Sequence, residues 1–329
     1  MTTFRASVAK KITEQLISAP IAEQILQFYD SYRAALANDL RFLQLEPLFF
    51  QFLDFIQNQC QSPYPFNVYH KAEITPFNFY QFGLDIIRPL IQMEKSKILG
   101  ESNLEQLLSQ IQAKENVILF GNHQIEPDPQ AISLLIEQKS PQLAFNMIFI
   151  AGHRVTTDPL AVPFSRGRNL ICIYSKRYVE IPPELKKEKL LHNQKAMHKI
   201  VQLLEEGGNC IYLAPSGGRD RKNEQGQIEV APFDPDSTEM FWLLSKKTER
   251  KTHFYPLSLY TYPLLPPPQI IKKTLGESRY TTTTPIHLYI GNEIDMHSFH
   301  GKDRKEIRIQ RSNYIWEQVK ENFKTLENI

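Results

Sequence analysis

Cysteine is scarce in this 329-residue chain, which contains only Cys60, Cys172 and Cys210. The three lie far apart, without a C-x-x-C pair or a similar spacing, so the sequence provides neither a cysteine zinc site nor a disulfide framework. Cys172 and Cys210 fall within apolar, strand-like runs, which is typical of buried thiols. This usage indicates a reducing compartment.

An excess of one charge sign is also missing. Lys and Arg number 38 and Asp and Glu number 36, so the formal net charge is only +2. Nucleic-acid-binding proteins normally carry a clear basic excess, so we expect no nucleic-acid partner.

Long apolar runs are absent as well. No stretch approaches the roughly 18 consecutive apolar residues that a membrane span needs. The first residues, MTTFRASVAKKITEQ, lack the apolar core of a signal peptide. We therefore expect a soluble intracellular protein without a transmembrane segment.

Apolar residues are nevertheless plentiful, at 42% against 22% charged residues, which is enough for a sizeable packed core. Residues 18–39 and 46–60 repeat apolar side chains at helical spacing, and no strand-like run accompanies them. A connector with three prolines follows at 60–77. We predict a small N-terminal helical bundle over residues 1–72 and a second, larger domain over 73–329.

The second part of the chain alternates strand-like and helix-like segments. Residues 77–99 and 102–115 have helical patterns, and further helical segments separate the later strands. The strand candidates are continuous apolar runs, which is typical of strands covered on both faces. This order predicts an α/β fold with a mostly parallel, mixed sheet flanked by helices. The predicted strands are 116–120, 145–152, 169–175, 209–215, 253–260 and 285–293.

Three polar loops follow predicted strands. They read GNHQIEPDP (121–129), AGHRVTTDPLAVPFSRGRN (151–169) and SGGRDRKNEQGQ (216–227). Sites in such sheets collect at the carboxyl ends of strands, so these loops together predict one functional site.

The first loop places His123 five residues before Asp128. A carboxylate against one imidazole nitrogen fixes the tautomer and leaves the other nitrogen to accept a proton from a substrate hydroxyl. Asp128-Pro129 is also typical of a helix start, with Asp at the N-cap and Pro at the first helical position. Both interpretations are compatible. For Glu126 we expect a solvated loop position rather than a further catalytic acid.

The third loop contains Arg219 and Arg221 on either side of Asp220. Gly217 and Gly218 before them permit a close approach of the backbone to a ligand. The two arginines face the same side of an extended loop, and guanidinium groups bind phosphate oxygens well. The alternative is a solvated turn with a local Arg–Asp pair.

Basic residues also flank the strand NLICIYS. Arg166 and Arg168 precede it, and Lys176 and Arg177 follow it. Charged residues at strand ends are usually solvated, but Lys176 and Arg177 could complete a cationic pocket opposite the arginines of the third loop.

Common catalytic and cofactor motifs are absent. The sequence contains no H-E-x-x-H, no G-x-S-x-G and no G-x-G-x-x-G, and Ser216 lacks the glycine pattern of a nucleophile elbow. We therefore expect no metal, no cofactor and no covalent nucleophile. A substrate group activated by His123 would attack directly.

Several blocks of these loops recur together in one known family. They are N-H-x-x-x-x-D at 122–128, AGHRVTTDPL, PFSRGRNL, YSK, and APSGGRDR at 214–221, with PYPFNVYH, FGLDIIRPL, APFD and PLSLYTYPLLPPP around them. On these motifs the sequence resembles the soluble glycerol-3-phosphate 1-acyltransferases of plant plastids, which also occur in some bacteria. The likeness extends from about residue 63 to about residue 270.

The resemblance implies transfer of a fatty acyl group from an acyl-carrier-protein or coenzyme A thioester to the sn-1 hydroxyl of glycerol 3-phosphate. The product would be 1-acyl-sn-glycerol 3-phosphate, delivered to the membrane. His123 would be the general base held by Asp128, and Arg219 and Arg221 would bind the substrate phosphate. The implied location is the bacterial cytoplasm or the plastid stroma.

One departure concerns the phosphate ligands. The plant pattern has Lys-His after Y-S-K, whereas this chain has Arg177-Tyr178 after Lys176. Arginine keeps the charge with a different geometry, and tyrosine keeps a hydrogen-bond donor. We expect Lys176, Arg177 and Tyr178 to contribute to the phosphate pocket.

Three other functions remain open at this point. They are acyl transfer to lysophosphatidate, hydrolysis of acyl thioesters, and non-catalytic binding of a phosphometabolite or lipid. The lysine-rich stretch ELKKEK (184–189) would suit docking of an acidic carrier protein, although such helix surfaces are more often merely solvated.

Overall fold

The structure is a computed structural model that describes residues 3–37, 40–269 and 277–329, apart from the side chains of Leu40, Arg41 and Arg177. The α-helices in chain order are α1 (Phe4–Thr13), α2 (Ala19–Ala35), α3 (Leu40–Gln61), α4 (Phe79–Ile87), α5 (Glu101–Gln112), α6 (Asp128–Ile136), α7 (Pro141–Asn146), α8 (Val162–Arg166), α9 (Lys176–Val179), α10 (Lys186–Glu206), α11 (Pro235–Ser245) and α12 (Arg304–Glu327). The strands are β1 (Tyr69–His70), β2 (Lys97–Leu99), β3 (Asn116–Gly121), β4 (Ile148–Gly152), β5 (Asn169–Ile173), β6 (Cys210–Leu213), β7 (Arg221–Lys222), β8 (Ile228–Glu229), β9 (Thr252–Tyr260) and β10 (His287–Ile290). Short 3₁₀ helices occur at Arg88–Leu90, Met93–Lys95, His153–Thr156, Pro183–Leu185 and Tyr262–Leu264.

Eight strands form one sheet in the order β1-β5-β4-β6-β3-β9-β10-β2. The strands from β5 to β9 in that order run parallel to their neighbours. At the two sides, β1 is antiparallel to β5, and β10 is antiparallel to β9 but parallel to β2. The prediction of a mostly parallel, mixed sheet is therefore confirmed, and each predicted strand overlaps an observed one.

The central strand β3 shows how the sheet separates two apolar cores. Its side chains alternate across the sheet, as in any strand. Val117 and Leu119 pack into the core formed with the N-terminal helices, α5 and α6. Ile118 and Phe120 pack into the core formed with α10, α11 and α12. Because both faces are covered, β3 is apolar at successive positions rather than at alternate ones.

The N-terminal helices pack through aromatic side chains. Phe4 of α1 stacks on Tyr29 of α2 with ring centroids 4.3 Å apart, and Phe49 of α3 packs edge-on against Tyr29 at 5.2 Å. Tyr32 donates a hydrogen bond of 2.8 Å to the carbonyl oxygen of Ile86 in α4, which ties α2 to the rest of the chain. Strand β1 lies within residues 1–72, at the edge of the main sheet. The domain boundary at residue 72 stays a prediction.

One predicted helix is wrong in its second half. The pattern over 77–99 predicts one continuous helix, but α4 ends at Ile87 and a 3₁₀ turn with Pro89 at its centre follows. Proline lacks the N–H that the next helical turn needs and clashes with the preceding turn. The chain then becomes extended, and Lys97–Leu99 pairs with His287–Tyr289 as strand β2. Partners almost two hundred residues away in the chain decided this element.

The patterns also missed α12, whose surface is mostly charged. Its buried positions Ile315, Val319, Phe323 and Leu326 repeat every three or four residues, as expected of one helix face. This face covers β9, and Ser258 of β9 donates a hydrogen bond of 2.8 Å to the carbonyl oxygen of Val319.

Candidate active site

His123 and Asp128 are in direct contact at the carboxyl end of β3. The Nδ1 atom of His123 lies 2.7 Å from Oδ2 of Asp128. Gly121, at the end of the strand, has no side chain, and this allows the loop to lie close to its neighbours. An added Cβ there would lie 2.5 Å from the Tyr212 ring. The contact between the imidazole and the carboxylate is the one that the spacing in the first loop predicts.

Asp128 does not cap its own helix. Helix α6 begins at Asp128, but the carboxylate is turned back towards the preceding loop. Its Oδ2 accepts hydrogen bonds from the backbone N–H groups of Gln124 at 2.7 Å and Ile125 at 3.1 Å. Its Oδ1 accepts a hydrogen bond of 2.6 Å from the hydroxyl of Thr261. The N-cap interpretation is therefore corrected, because the loop's N–H groups occupy the oxygens that would cap the helix.

This set of contacts determines which nitrogen of His123 is free. An ionised carboxylate can only accept hydrogen bonds, so Asp128 is satisfied when Nδ1 carries the imidazole hydrogen. The lone pair then resides on Nε2. Among the residues that the structure describes, none forms a hydrogen bond to Nε2. The His123 side chain is 30% exposed and lines a cavity of about 800 Å³.

The loop that carries His123 is fixed by buried polar side chains. Asn122 bonds both backbone groups of Leu259 in β9, accepting from its N–H at 2.8 Å and donating to its carbonyl at 3.0 Å. Gln124 accepts hydrogen bonds from the N–H groups of Thr261 and Tyr262. These bonds fasten the loop to the end of the neighbouring strand, which limits the freedom of the imidazole.

Asp220 joins the first and third loops. Its N–H donates a 2.6 Å hydrogen bond to the carbonyl oxygen of His123, and its carboxylate accepts from Asn122, Gln124 and the N–H of Ala231. Burial raises the pKa of this carboxyl group to about 6, and the hydrogen bonds that it accepts oppose the rise. Because Asp220 faces inward, the local Arg–Asp pair considered for a solvated turn is not formed through its side chain.

The arginines of the third loop lie at the same cavity. Arg219 forms an ion pair with Glu277, and Arg154 lies 3.0 Å from the other oxygen of that carboxylate. Arg221 donates hydrogen bonds to the carbonyl oxygens of Arg219 and Asp220 at 2.8 and 2.9 Å. All three arginines line the cavity with His123. Guanidinium groups close to one another and to a cavity form a potential anion site.

A second buried ion pair at the site joins Arg279 and Glu126. Arg279 donates to both oxygens of Glu126, at 2.7 and 3.0 Å, and lies 3.1 Å from Asp158. Burial acts to raise the pKa of Glu126, but the charge and hydrogen bonds of Arg279 hold it below its usual value. The expectation of a solvated Glu126 is therefore wrong. Arg279, which no local pattern singled out, gives this acid its partner.

The residues after β5 also lie at the cavity, but the first of them, Lys176, is exposed and has other acidic partners. Lys176 is 72% exposed, and its Nζ forms ion pairs with Asp234 at 3.0 Å and Asp236 at 2.8 Å. Tyr178 lines the cavity and is half-buried. The side chain of Arg177 lies outside the described part of the structure. Lys176 and Tyr178 thus share the cavity wall with Arg219 and Arg221, and their predicted roles at a phosphate stay predictions.

The basic residues before β5 serve other contacts. Arg166 forms an ion pair with Glu73 and lies over the Phe79 ring at 3.9 Å. Arg168 is buried, donates to the hydroxyl of Ser133 at 2.5 Å and lies over the Tyr80 ring at 4.7 Å. Burial lowers the pKa of Arg168 to about 10. Neither residue is simply solvated at its strand end.

The cavity also has a large apolar lining, which comes from the N-terminal helices, the main sheet and helices α10 and α11. Its apolar lining includes Phe28, Phe52, Phe149, Leu160, Phe164, Leu170, Met197, Met240, Phe241 and Leu265. A cavity with a charged end and an apolar wall suits an amphiphilic ligand.

Several residues of the site escaped the sequence patterns. Thr261 directly follows β9, so the rule that sites lie after strand carboxyl ends would have found it. Arg154 and Asp158 lie in the second loop, within the AGHRVTTDPL block that the resemblance rests on, but no role at the site was predicted for them. Glu277 and Arg279 directly follow no described strand, and nothing in the sequence pattern marked them. Within the described ranges, no group of three or more His, Cys, Asp and Glu side chains is arranged to hold a metal ion.

Comparison with known proteins defines first a class and then a family. A family model described as Acyltransferase matches residues 98–260, the part that contains His123, Asp128 and the third-loop arginines. The chloroplastic glycerol-3-phosphate acyltransferase of Arabidopsis thaliana is 38% identical over 82% of this chain and 59% of that protein. The corresponding Carthamus tinctorius protein is 31% identical over 98% of this chain and 71% of that protein. The chain belongs to the family of the chloroplastic glycerol-3-phosphate acyltransferases.

The chain spans about three fifths of the length of most of these curated relatives. A solved structure, the 1-acyl-sn-glycerophosphate acyltransferase PlsC from Thermotoga maritima, is 20% identical over 75% of this chain and 78% of that chain, with a TM-score of 0.38. That score is low, and the fold of this chain is established by its own sheet topology. Within the described residues, no helix combines the length and the apolar character of a membrane span.

Proposed function

We propose that the protein transfers a fatty acyl group from a thioester to the sn-1 hydroxyl of glycerol 3-phosphate, giving 1-acyl-sn-glycerol 3-phosphate. The observation that carries the proposal is the Nε2 of His123, to which no described residue forms a hydrogen bond, on a side chain that lines one cavity together with three arginines and many apolar side chains. The acceptor named by the relatives has a hydroxyl to activate and a phosphate to bind, and the acyl donor has a long apolar chain.

In the proposed reaction, His123 is the general base. Nε2 takes the proton of the acceptor hydroxyl while its oxygen attacks the carbonyl carbon of the thioester. The carbonyl re-forms, the C–S bond breaks, and the departing thiolate receives the proton from the imidazolium. Asp128 stabilises the positive charge on the ring during the transfer, as a buried carboxylate bonded to Nδ1 does in other His-based catalysts.

The phosphate of the acceptor is assigned to the arginine end of the cavity. Arg219 and Arg221 are the proposed principal ligands, with Lys176, Arg177 and Tyr178 as further contributors. Arg154 is added to this set because it lies against the same carboxylate as Arg219. Guanidinium groups suit phosphate oxygens because they donate two parallel hydrogen bonds.

The acyl donor is assigned to the apolar wall, and an acyl-carrier-protein or a coenzyme A thioester would serve as co-substrate. Our proposal includes no metal and no other cofactor. Nothing in the apolar lining distinguishes the two carriers, because the thioester and hydrocarbon are common to both. The proposed compartment is the bacterial cytoplasm or the plastid stroma.

The test is product formation measured by mass spectrometry. Purified protein receives a long-chain acyl thioester with and without glycerol 3-phosphate, beside a His123→Ala variant and a His198→Ala control at an exposed histidine. We expect acylated glycerol 3-phosphate only with the acceptor, unchanged activity in the control and almost none in His123→Ala.

Other outcomes would replace the proposal. Free fatty acid formed with or without the acceptor would indicate a thioester hydrolase. A product formed only from lysophosphatidate would indicate the second acylation step. Binding of glycerol 3-phosphate without turnover of either thioester would indicate a binding protein.

A further inference from the structure

A concentrated patch of exposed apolar side chains borders the cavity. Ile181, Leu185, Leu190 and Leu191 are 61%, 42%, 49% and 51% exposed. They fall within eleven consecutive residues, whereas the other large exposed apolar side chains of the described residues are scattered over the chain. Single exposed apolar residues are normal, but a cluster of this kind marks an interaction surface. We call residues 180–195 the rim segment.

The rim segment is held firmly beside the cavity. Buried Lys189 donates hydrogen bonds to the carbonyl oxygens of Tyr178, at 3.0 Å, and Ile181, which fixes the turn before α10. Asn193 bonds both the N–H and the carbonyl of Tyr174, each at 2.8 Å. The apolar side chains are therefore presented by an ordered element.

The cavity opens next to this segment. Tyr178 and Gln194 line the cavity at either side of the exposed leucines. Lys176 lines it too and is 72% exposed, so the cavity reaches solvent at this point. A ligand entering or leaving here passes the rim segment.

The same surface carries positive charge. Between residues 176 and 199 there are seven Lys and Arg residues and three Glu residues. Lys187, Leu191 and Lys195 follow one another at intervals of four in α10, so they share its exposed face. No described residue forms an ion pair with Lys187 or Lys195. Lysines beside exposed leucines on one helix face are characteristic of helices that lie in a lipid interface.

We propose that the rim segment docks the protein on a lipid surface with anionic headgroups. Leu190, Leu191 and Ile181 enter the boundary between headgroups and acyl chains, and Lys187 and Lys195 lie at the anionic headgroups. The open side of the cavity then faces the lipid. An amphiphile leaving the cavity reaches the bilayer without crossing water. This last point rests on the proposed function, but the docking itself does not.

A lipid surface fits these residues better than an acidic protein does. Charge pairing with an acidic protein would account for the lysines but not for the four large exposed apolar side chains beside them. A lipid interface accommodates both the apolar side chains and the lysines.

Vesicle co-sedimentation of the full chain tests the proposal. The vesicles are phosphatidylcholine alone, or equal parts of phosphatidylcholine and phosphatidylglycerol. The protein is expected to bind the anionic vesicles more tightly. A Leu190→Gln/Leu191→Gln variant is expected to lose about tenfold in affinity, because less apolar surface enters the lipid. The matched control is Leu43→Gln/Leu243→Gln, which changes two exposed leucines elsewhere and should bind as the wild type does.

A second pair of variants isolates the charge. Lys187→Gln/Lys195→Gln is expected to weaken binding to anionic vesicles by about thirtyfold, since each of the two lysines contributes about 1 kcal/mol near such a surface. Binding to phosphatidylcholine alone should not change. Lys302→Gln/Lys305→Gln removes two exposed lysines elsewhere and serves as the control. All these side chains are exposed, so thermal melts should confirm that the variants fold.

The proposal is overturned if the wild-type protein does not bind anionic vesicles. It is equally overturned if the rim variants bind them with the same affinity as the wild type. It is also overturned if the wild type sediments without lipid and the leucine variant does not, since the surface then joins two copies of the chain. A third outcome would identify an acidic protein as the partner. In that case the wild type would not bind vesicles, and the leucine variant would lose turnover of a carrier-protein thioester but keep turnover of a coenzyme A thioester. Sedimentation involves no turnover, so its result is independent of the proposed reaction.

Discussion

The two halves of the candidate site are built in opposite ways. Around His123, the buried polar side chains have partners in the same loop, in the third loop or at the end of β9, and no described residue forms a hydrogen bond to Nε2. At the arginine end, two of the guanidinium groups are already paired with an acid, because Glu277 lies between Arg219 and Arg154. The first half is ready to act on a hydroxyl, whereas the second must exchange an internal carboxylate for the anion that it binds.

This difference has a physical origin. A base needs an orientation that does not change during the reaction, and buried hydrogen bonds to a carboxylate provide it. A cationic pocket without an anion would be left with several like charges in a poorly solvated space, which is unfavourable. An internal carboxylate neutralises those charges until the ligand arrives.

The largest effect is expected for Asp128→Asn. The amide would offer an N–H where the loop already supplies N–H groups, and it would no longer stabilise the imidazolium. We expect kcat to fall by about a thousandfold or more, with a small change in KM. Asp54→Asn, at an exposed aspartate paired with Lys11, is the control for loss of a carboxylate. A variant with nearly normal kcat would show that His123 does not act as a base held by Asp128.

The next prediction is that the buried Asp220 makes the free energy of unfolding depend on pH. Its pKa is raised by burial from 3.8 to about 6, so between these values the folded chain keeps a proton that the unfolded chain releases. This group therefore stabilises the folded state as pH falls from about 6 towards 4, and the contribution is lost as pH rises through 6. Chemical denaturation at pH 7.5 and pH 5 should show about 1.4 kcal/mol more stabilisation on acidification in the wild type than in Asp220→Asn. Equal pH dependence in both proteins would mean that the carboxyl group does not titrate in this window.

A smaller effect is expected for Thr261→Val, which removes the hydroxyl bonded to Asp128 and keeps the side-chain shape. Residues that orient a catalytic group through one intermediate typically change its activity by about tenfold. We expect kcat to fall by about that factor while KM for glycerol 3-phosphate stays the same. Thr238→Val removes a buried hydroxyl at α11 and should leave kcat unchanged. An equal loss in both variants would indicate a general structural effect instead.

The smallest effect is expected for a variant that removes the internal carboxylate from the arginine half of the site. Glu277→Gln keeps the shape of the side chain and removes the charge that competes for Arg219 and Arg154. We expect KM for glycerol 3-phosphate to fall by about threefold, with little change in kcat, because the anion no longer displaces a carboxylate. Glu137→Gln, which loses an arginine partner outside the site, is the control. If KM rises instead, Glu277 positions the arginines and both halves of the site are preorganised.

Local sequence was sufficient for the base half. The apolar run NVILF and the loop after it predicted strand β3 and the contact between His123 and Asp128, since both residues lie in one short loop. It was insufficient for the arginine half. Glu126 was expected in solvent and is paired with Arg279, about 150 residues further along the chain. An ion pair over that separation leaves no periodic trace in the sequence.

Two elements of the fold were also not predictable from local sequence, because contacts across the sheet decided them. The predicted helix over 77–99 ends early because Lys97–Leu99 pairs with β10, a partner that local propensity cannot reveal. Helix α12 was missed because its charged surface hides a narrow apolar face that only the covered side of β9 explains.

The amino-acid sequence by itself determined the parallel strands, the positions of the polar loops and the close contact of His123 with Asp128. These features depend on apolar runs and on short spacings, which act within one element or one loop. Only the tertiary structure decided that Glu277 and Arg279 join the site, that Thr261 bonds Asp128, and that the leucines of α10 stay uncovered at the cavity rim. Those features depend on which distant segments meet, and that is set by packing of the whole chain around the sheet.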